Sequence, residues 1–293
     1  MSRELRGIFP IVATPYDEKG SLDEEALRGL VNHLIAEGTH GLAPCGGSSE
    51  ARALTREERY RMGDVVMDEV AGRVPVIVGV SAASTEESVI LARHASASEA
   101  DAVFATLPYG SALDDEELIW SHYTAIAEAI DCYLMVQEVG EGMPLRVLAE
   151  LADELDSFRY VKEEAHHTGH RITRLLGMTD RLAILSGGMT ILDDLARGAV
   201  GAIPGSCGVG AYSRIFDLYT EGCRDEARRE YHRILPLLHW RGRVNHLQAT
   251  KAVLCRKGVF KNDRVREQPN LEPLDDVDRQ ELDLILRAIG PPY

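Results

Sequence analysis

The stretch Phe158-Arg-Tyr-Val-Lys-Glu-Glu164 is rich in β-branched and aromatic residues and predicts a strand that carries Lys162. Because Tyr160 and Val161 are expected to be buried, the ammonium of Lys162 would lose hydration, which favours the neutral amine. A neutral amine is a nucleophile that condenses with a ketone to give an imine. The alternative is a strand-end lysine whose head group reaches water. The fold around the strand decides between these interpretations.

The strand around Lys162 is the sixth of eight apolar strands that alternate with amphipathic helices. Strands covered on both faces, each followed by a crossover helix, are typical of a closed parallel barrel. We therefore predict an α/β fold, a (β/α)8 TIM barrel with a C-terminal helical extension. The predicted strands are 7–15, 41–46, 74–80, 100–107, 132–136, 158–162, 182–186 and 200–204.

Capping patterns mark where the helices begin. Capping boxes are predicted at 21–24, 55–58, 84–87 and 114–117, and later helices at Pro144, at about Arg171 and at Thr190. From about Tyr212 the pattern is wholly helical, with helices at 216–221, 226–240, 247–257 and 276–288 and a polar loop at 263–273. We predict a barrel over 1–211 and C-terminal helices over 212–293 that pack on it.

Composition excludes several classes of function. With 45% hydrophobic and 27% charged residues among 293, the chain is expected to be globular. The net charge of −15 disfavours nucleic acid and anionic membranes as partners. No apolar run is long enough to span a membrane and no signal peptide is evident, so a cytoplasmic enzyme is expected. The five cysteines lack a C-x-x-C spacing, which disfavours a disulfide framework or a zinc site.

Three histidines, His166, His167 and His170, follow Lys162 closely. A metal site, a solvated loop and a polar pocket wall that shuttles protons are the three interpretations. Imine chemistry needs no metal and no carboxylate or cysteine partner is evident, so we predict neither a metal nor a cofactor.

In a parallel barrel the active site lies at the C-terminal ends of the strands. That edge is where we expect a set of polar residues and glycines to converge, which favours a functional role for Lys162. The set is Ser48, Ser49, Tyr109, Gln137, Lys162, Gly187 and Gly188.

The motifs at these strand ends resemble a known family. They are Thr14-Pro15, Gly46-Gly-Ser-Ser-Glu50, Leu107-Pro-Tyr109, Val161-Lys-Glu163, Ser186-Gly-Gly188 and Gly201-Ala-Ile203. In this order, from about residue 5 to 290, they are similar to the dihydrodipicolinate synthase/N-acetylneuraminate lyase family. The resemblance implies a Schiff-base lyase that acts on a small 2-oxo acid, and a homo-oligomer, expected to be a tetramer.

The resemblance also implies roles for individual residues. Lys162 would form the imine, with Ser48 and Tyr109 as further catalytic residues. The loop at Gly47 to Ser49 would hold the substrate carboxylate. The substrate-binding residues implied are Gly47, Ser49, Gln137, Gly187, Gly188 and Ile203.

Departures from the family pattern reduce the number of reactions that are expected. The family's strand-five tyrosine, an acid/base at the imine, is replaced by Val136, and Gly47 lacks the hydroxyl of a proton relay. Dihydrodipicolinate synthases have an arginine near this point that binds a substrate carboxylate, whereas this chain has Glu141. A carboxylate there would repel the dianionic substrate precursor, so dihydrodipicolinate synthase activity itself is rejected.

One branch of the family looks more similar. The 2-keto-3-deoxy-L-arabonate dehydratases resemble this chain in Val136-Gln137, in Ser49-Glu50 and in the tail from 249 to 274, although Pro44-Cys-Gly-Gly47 differs. Dehydration of a 2-keto-3-deoxy sugar acid is therefore the predicted reaction. An aldolase that cleaves or forms a 4-hydroxy-2-oxo acid, with pyruvate as product or donor, is one alternative. A non-catalytic 2-oxo acid sensor is another.

Overall fold

The computed structural model describes residues 3–266, 271–291 and 293. In this part of the chain seven strands form one sheet in the order β1-β7-β6-β5-β4-β3-β2, and β2 to β7 pair in parallel. The strands are β1 (Gly7–Ile8), β2 (Ile77–Gly79), β3 (Ala102–Ala105), β4 (Tyr133–Glu138), β5 (Phe158–Glu163), β6 (Ala183–Ser186) and β7 (Gly201–Ala202).

In the described part of the chain at least one helix follows each strand, and the helices continue beyond β7. They are α1 (Glu24–Ala36), α2 (Arg56–Val70), α3 (Thr85–Ala97), α4 (Glu116–Ala127), α5 (Leu145–Glu154), α6 (Thr168–Leu176), α7 (Ile191–Ala196), α8 (Val209–Thr220), α9 (Arg224–Arg241), α10 (His246–Arg256) and α11 (Asp276–Ile289).

The chain divides into two compact units. One, the lysine unit, comprises Met1–Gly7 and Pro75–Ile203, and the other, the loop unit, comprises Ile8–Val74 and Pro204–Tyr293. The predicted boundary at Tyr212 lies inside α8, and the division into a barrel and a helical extension at that residue stays a prediction.

The strand predicted at 41–46 is the main error. Residues there form isolated bridges at Leu42 and Ala43, the latter with Ile11, instead of a continuous strand. Pro44 has no N–H to donate, and Cys45 has a left-handed φ of 62°, so an extended ladder cannot continue. The first predicted strand is also shortened, to Gly7–Ile8. Pro10 follows two residues later and has no N–H for a ladder.

Several predicted helix starts are confirmed because the predicted residue stands directly before its helix. Thr55 forms the predicted capping box with Glu58, Ser84 caps α3, and Pro144 and Thr190 precede α5 and α7. In the other two predicted boxes the cap is an aspartate slightly later in the chain, Asp23 for α1 and Asp115 for α4. Each aspartate side chain accepts a hydrogen bond from a backbone N–H in the first turn of its helix. The helix expected at about Arg171 already begins at Thr168.

The C-terminal helices pack around an apolar cluster within the loop unit. Leu237, Ala249, Val253 and Leu282 are completely buried there, and α9, α10 and α11 each contribute to it. Helix α8 begins before the predicted 216, whereas α9, α10 and α11 start within about two residues of expectation. Residues 267–270 of the predicted loop at 263–273 lie outside the described part of the chain.

Candidate active site

Lys162 is buried in the lysine unit. It lies on β5 between Gln137 of β4 and Leu185 of β6 in register, and its side chain is 4% exposed. Its Nζ lies 5.8 Å from the centre of the Phe104 ring. The interpretation as a strand-end lysine that reaches water is therefore wrong, because the amine is enclosed by the neighbouring strands.

Glu164 provides the polar partner of this amine. Its Oε2 lies 2.7 Å from Nζ of Lys162 and accepts a hydrogen bond of 2.7 Å from Nε2 of Gln137. The carboxylate side chain is 31% exposed, so it contacts both the buried amine and solvent. A carboxylate that contacts an amine can take a proton from it and return one.

Gly187 makes room for Glu164. A Cβ at residue 187 would lie 2.6 Å from Oε1 and 2.8 Å from Cγ of Glu164. The glycine after β6 therefore lets the carboxylate approach the backbone closely. This is a packing reason for the Ser186-Gly-Gly188 motif.

Glu164 was not among the site residues predicted from the sequence, although a signal for it was present. Side chains two apart on an extended segment lie on the same side, which places Glu164 next to Lys162. Val136, at the position of the family's tyrosine, is fully buried and pairs with Val161. The acidic group near the amine is thus a carboxylate that follows Lys162 on the chain itself.

The other predicted residues of the lysine unit are placed as follows. Tyr109 donates its hydroxyl hydrogen to the carbonyl of Ser81 at 2.7 Å. Gly188 has a left-handed φ of 90°, and its N–H donates to Oγ of Ser186. Ile203 is buried, and its N–H donates to the carbonyl of Ser186 at 2.7 Å.

A buried charge cluster fixes the ends of β4 and β5. Arg171 donates to Glu138 and, at 3.0 Å, to Glu163, and both carboxylates are completely buried. Burial raises the pKa of Glu138 to about 7 and also raises the pKa of Glu163, while the Arg171 charge opposes both shifts. Since Glu138 and Glu163 follow Gln137 and Lys162 directly, the cluster holds the two strand ends that carry the polar residues.

The three histidines lie at the surface. His166 is paired through Nδ1 with Oε1 of Glu141 at 2.9 Å, and both side chains are mostly exposed. His167 and His170 are exposed as well. Of the interpretations considered, the solvated loop fits this placement. In the described ranges no group of three or more His, Cys, Asp or Glu residues is arranged to hold a metal ion.

The loop from Gly46 to Glu50 belongs to the loop unit and is braced from within. Ser49 is completely buried, its hydroxyl donates to the carbonyl of Val12 at 2.6 Å, and its own carbonyl accepts from Thr14 at 2.5 Å. The N–H of Ser49 donates to Gly46. The polar groups of Ser49 therefore have partners inside the unit, and a substrate-binding role for this residue stays a prediction.

Glu50 anchors the end of this loop to the C-terminal region. It has a left-handed φ of 59°, and Oε1 pairs with Nζ of Lys251 at 2.5 Å in a fully buried contact. Oε2 accepts from the N–H of Arg266, and Lys251 also donates to the carbonyl of Arg264. Burial lowers the pKa of Lys251, which the Glu50 charge opposes. The sequence features noted in the loop and in the tail thus form one network.

Gly47 and Ser48 are the accessible part of the loop. Gly47 is exposed and Ser48 is partly exposed. The Oγ of Ser48 lies 3.5 Å from a guanidinium nitrogen of Arg241, which ends α9. Arg241 is a second residue that sequence reasoning missed, because it stands in the C-terminal helices, far from every strand-end motif.

The structure is an α/β barrel with a buried lysine on β5, and its relatives place it in the lyase class. The chain belongs to the dihydrodipicolinate synthetase family, whose model matches residues 4–289. It is 30% identical over 293 residues to the 4-hydroxy-tetrahydrodipicolinate synthase of Syntrophobacter fumaroxidans, with 98% of this chain and 99% of the relative covered. It is 32% identical over 296 residues to the L-2-keto-3-deoxyarabonate dehydratase of Azospirillum brasilense, with 98% and 95% covered.

A solved structure agrees on the fold. The 4-hydroxy-tetrahydrodipicolinate synthase of Methylacidiphilum fumariolicum SolV superposes with a TM-score of 0.89 at 23% identity, over 98% of this chain and 96% of that one. The predicted fold class, a (β/α)8 barrel followed by C-terminal helices, is confirmed. None of the described helices is both long and apolar enough to cross a bilayer.

Proposed function

We propose that this lyase forms an imine between Lys162 and a 2-oxo acid and dehydrates a 2-keto-3-deoxy sugar acid. The observation that carries the proposal is the contact of 2.7 Å between Glu164 and Lys162, on a sheet where the neighbouring strand has Val136 in place of a phenol. Similarity to a curated L-2-keto-3-deoxyarabonate dehydratase supports the same reaction.

Imine formation begins with proton transfer within this pair. Glu164 takes a proton from the Lys162 ammonium, and the neutral nitrogen attacks C2 of the oxo acid. The protonated carboxyl of Glu164 gives this proton to the C2 oxygen. A second proton then moves from the Lys162 nitrogen through Glu164 to the same oxygen, which leaves as water. The cationic imine at C2 then acidifies the hydrogens on C3.

Dehydration follows from the same carboxylate. Glu164 removes a proton from C3, and the electron pair forms the enamine. When that pair shifts to form the C3–C4 double bond, the C4–O bond breaks and the hydroxyl leaves as water with the proton that Glu164 holds. Water then hydrolyses the imine and frees Lys162, so the net change is loss of one water.

In this proposal the proton transfers are carried out by Glu164, not by Ser48 or Tyr109. Tyr109 already donates its hydroxyl hydrogen to Ser81, so it does not offer that proton without breaking the bond. We propose that Gln137 orients Glu164, that Gly187 and Gly188 leave space for it, and that the loop at Gly47 and Ser48 binds the substrate carboxylate.

The product identifies the reaction. The protein is incubated with 2-keto-3-deoxy-L-arabonate, and the products are followed by mass and by a dehydrogenase assay for pyruvate. A pyruvate-free product lighter by one water is expected. Stoichiometric pyruvate would establish the aldolase instead. If borohydride with pyruvate adds mass to Lys162 but no 2-oxo-3-deoxy acid is turned over, the protein is the sensor.

The lysine is tested in the same assay. Lys162→Ala is expected to abolish turnover and borohydride trapping while the protein stays folded, because the role of the side chain is covalent. The exposed Lys19, changed to alanine, is the control and is expected to retain both. Residual turnover of Lys162→Ala above a few per cent would contradict the imine mechanism.

A further inference from the structure

Glu138 and Glu163 form a buried pair of carboxyl groups on the side of the sheet opposite to Lys162. They are partners in register on β4 and β5, directly after Gln137 and Lys162. Because successive side chains of a strand alternate in direction, both carboxyl groups point away from the face that carries Lys162. Both side chains have an exposed fraction of 0%, and Arg171 of α6 contacts both.

The two carboxyl groups differ in the hydrogen bonds that they accept. In Glu163 Oε2 accepts from Nε of Arg171 at 3.0 Å, and Oε1 accepts from the N–H of Ala165 at 2.8 Å. In Glu138 Oε2 accepts from Arg171 and, at 2.8 Å, from the N–H of Met143. Oε1 of Glu138 is buried and has no hydrogen-bond partner among the residues that the structure describes. Only Glu163 therefore has a donor on each oxygen, as a buried carboxylate needs.

The charges of the cluster point to a proton on Glu138. One guanidinium cannot neutralise two carboxylates, and a surplus negative charge in a buried position is costly. Burial raises the pKa of Glu138 to about 7, the Arg171 charge opposes this shift and the Glu163 charge adds to it. Tyr123 of α4 also faces Glu138, and burial and the Glu138 charge raise its pKa. A proton on Oε1 of Glu138 removes the surplus charge at the oxygen that accepts no hydrogen bond.

The cluster also sets the direction of the chain on either side of Glu164. The hydrogen bond from the N–H of Ala165 to Glu163 closes a turn around Glu164. Arg171 fixes this turn because it holds the other oxygen of Glu163. The same guanidinium donates to the carbonyl of Met143 at 3.1 Å, which ties the loop after β4 to the turn.

We propose that Arg171 is a positioning residue for Lys162 and Glu164, and that it acts through an ionised Glu163 and a protonated, neutral Glu138. This inference rests on the proposed function, in which Glu164 transfers protons beside Lys162. The ion pair of Arg171 and Glu163 holds the turn. The proton lets Glu138 lie beside Glu163 without repulsion, so the two carboxyl groups are expected to respond differently to the same substitution.

The first test compares Glu138→Gln with Glu163→Gln in dehydration of 2-keto-3-deoxy-L-arabonate. An amide has the shape of a neutral carboxyl, so Glu138→Gln removes no charge and is expected to keep kcat within about threefold of wild type. Glu163→Gln removes the charge that Arg171 pairs with and releases Glu164. Since a misplacement of about 1 Å costs roughly 10²-fold in rate, a loss of that size in kcat is expected. Glu154→Gln, at the exposed end of α5, is the matched control.

The second test detects the proton on Glu138 through the pH dependence of unfolding. Because the pKa in the folded state lies above the ordinary value of 4.5, the folded state binds the proton more tightly, and this stabilisation is lost as the pH rises from 4.5 through about 7. Between about pH 5 and pH 7 the equilibrium constant for unfolding in urea is expected to rise up to about 10²-fold more in wild type than in Glu138→Gln. The infrared band of a buried carboxylic acid, present in wild type below pH 7, is expected to be missing from Glu138→Gln.

A double variant separates positioning from stability. Arg171→Met combined with Glu163→Gln leaves no charge in the cluster, since Glu138 is already neutral. Its urea midpoint is therefore expected to equal or exceed that of Glu163→Gln alone. Its kcat is expected to stay about 10²-fold below wild type, because the turn at Glu164 has lost its anchor. Arg174→Gln removes an exposed charge from the same helix and is expected to behave like wild type.

The outcomes separate this inference from the proposed function. Equal losses of kcat in Glu138→Gln and Glu163→Gln, or a wild-type pH dependence of unfolding in Glu138→Gln, would overturn the neutral Glu138. A double variant that regains kcat together with stability would overturn the positioning role, because the cluster would then be structural only. A wild-type protein that gives no borohydride adduct with pyruvate at Lys162 would overturn the imine and the positioning role with it, whereas the pH dependence of unfolding tests the proton on Glu138 independently.

Discussion

Gly187→Ala is expected to reduce turnover by displacing Glu164, although it changes neither Glu164 nor Lys162 chemically. The new Cβ would lie 2.6 Å from Oε1 of Glu164, whereas ordinary contacts begin at 3.4 Å, so the carboxyl end must retreat by about 0.8 Å. Its contact of 2.7 Å with Lys162 then lengthens beyond the range of a strong hydrogen bond. A misplacement of about 1 Å in a catalytic group costs roughly 10²-fold in rate.

The assay is kcat for dehydration of 2-keto-3-deoxy-L-arabonate, measured beside Glu164→Gln and the double variant. Loss of a general acid/base typically costs about 10²- to 10⁴-fold, so Glu164→Gln is expected to be at least as impaired as Gly187→Ala. If Gly187→Ala acts only through the carboxylate, the double variant is expected to be no slower than Glu164→Gln alone.

Gly29→Ala is the control for this experiment. Gly29 lies inside α1 with nothing within 4 Å of an added Cβ, so alanine there is expected to leave turnover unchanged. Near-normal kcat in both Gly187→Ala and Glu164→Gln would refute the role of Glu164. A double variant much slower than either single variant would show that Gly187 acts by another route.

The other predictions concern stability and assembly. Lys251→Met leaves Glu50 buried without its cation and is expected to cost about 3–5 kcal/mol in the free energy of unfolding by urea, part of which Glu50→Gln should restore. Burial lowers the pKa of His122 from 6.5 to about 4. The contribution of the neutral imidazole to the free energy of unfolding is therefore present above pH 6.5. It is lost as the pH falls towards 4, because the unfolded state binds the proton first. His122→Gln should remove up to about 3 kcal/mol of that acid sensitivity in thermal or urea unfolding, and an unchanged pH profile would contradict it. Light scattering is expected to give a particle of four chains of 32.3 kDa, and a monomer at micromolar concentration would contradict the tetramer.

The fold was predictable from local patterns because strands and helices repeat with regular spacing. Six of the predicted strands match β2 to β7 among the described residues, and Thr55 and Ser84 mark helix starts as expected. The error at 41–46 arose because an apolar run that contains Pro44 was assigned to a ladder. Apolar composition indicates burial, but a ladder also needs N–H donors and extended φ values along the run.

The candidate site was predictable where it follows strand ends and unpredictable where it depends on tertiary contacts. Lys162 and Gln137 are neighbours in register, as their strands implied. The burial of Ser49 against Val12 and the approach of Arg241 to Ser48 join residues far apart along the chain. Hydrogen-bond partners at such separations leave no periodic signal in one sequence.

Val136 stands where the family has a tyrosine, and the structure offers another acidic group in place of the missing phenol. In the proposed mechanism the acid/base group lies on the segment that carries Lys162 instead of on the neighbouring strand. There Glu164 accepts a hydrogen bond from Gln137 and has space beside Gly187. In the proposed mechanism Glu164 takes a proton from C3, next to the imine carbon C2, and passes it to the departing C4 hydroxyl. Retro-aldol cleavage instead begins with removal of the proton from the C4 hydroxyl and takes none from C3. A carboxylate beside the nitrogen of Lys162 therefore supports the proposal of dehydration over carbon–carbon cleavage.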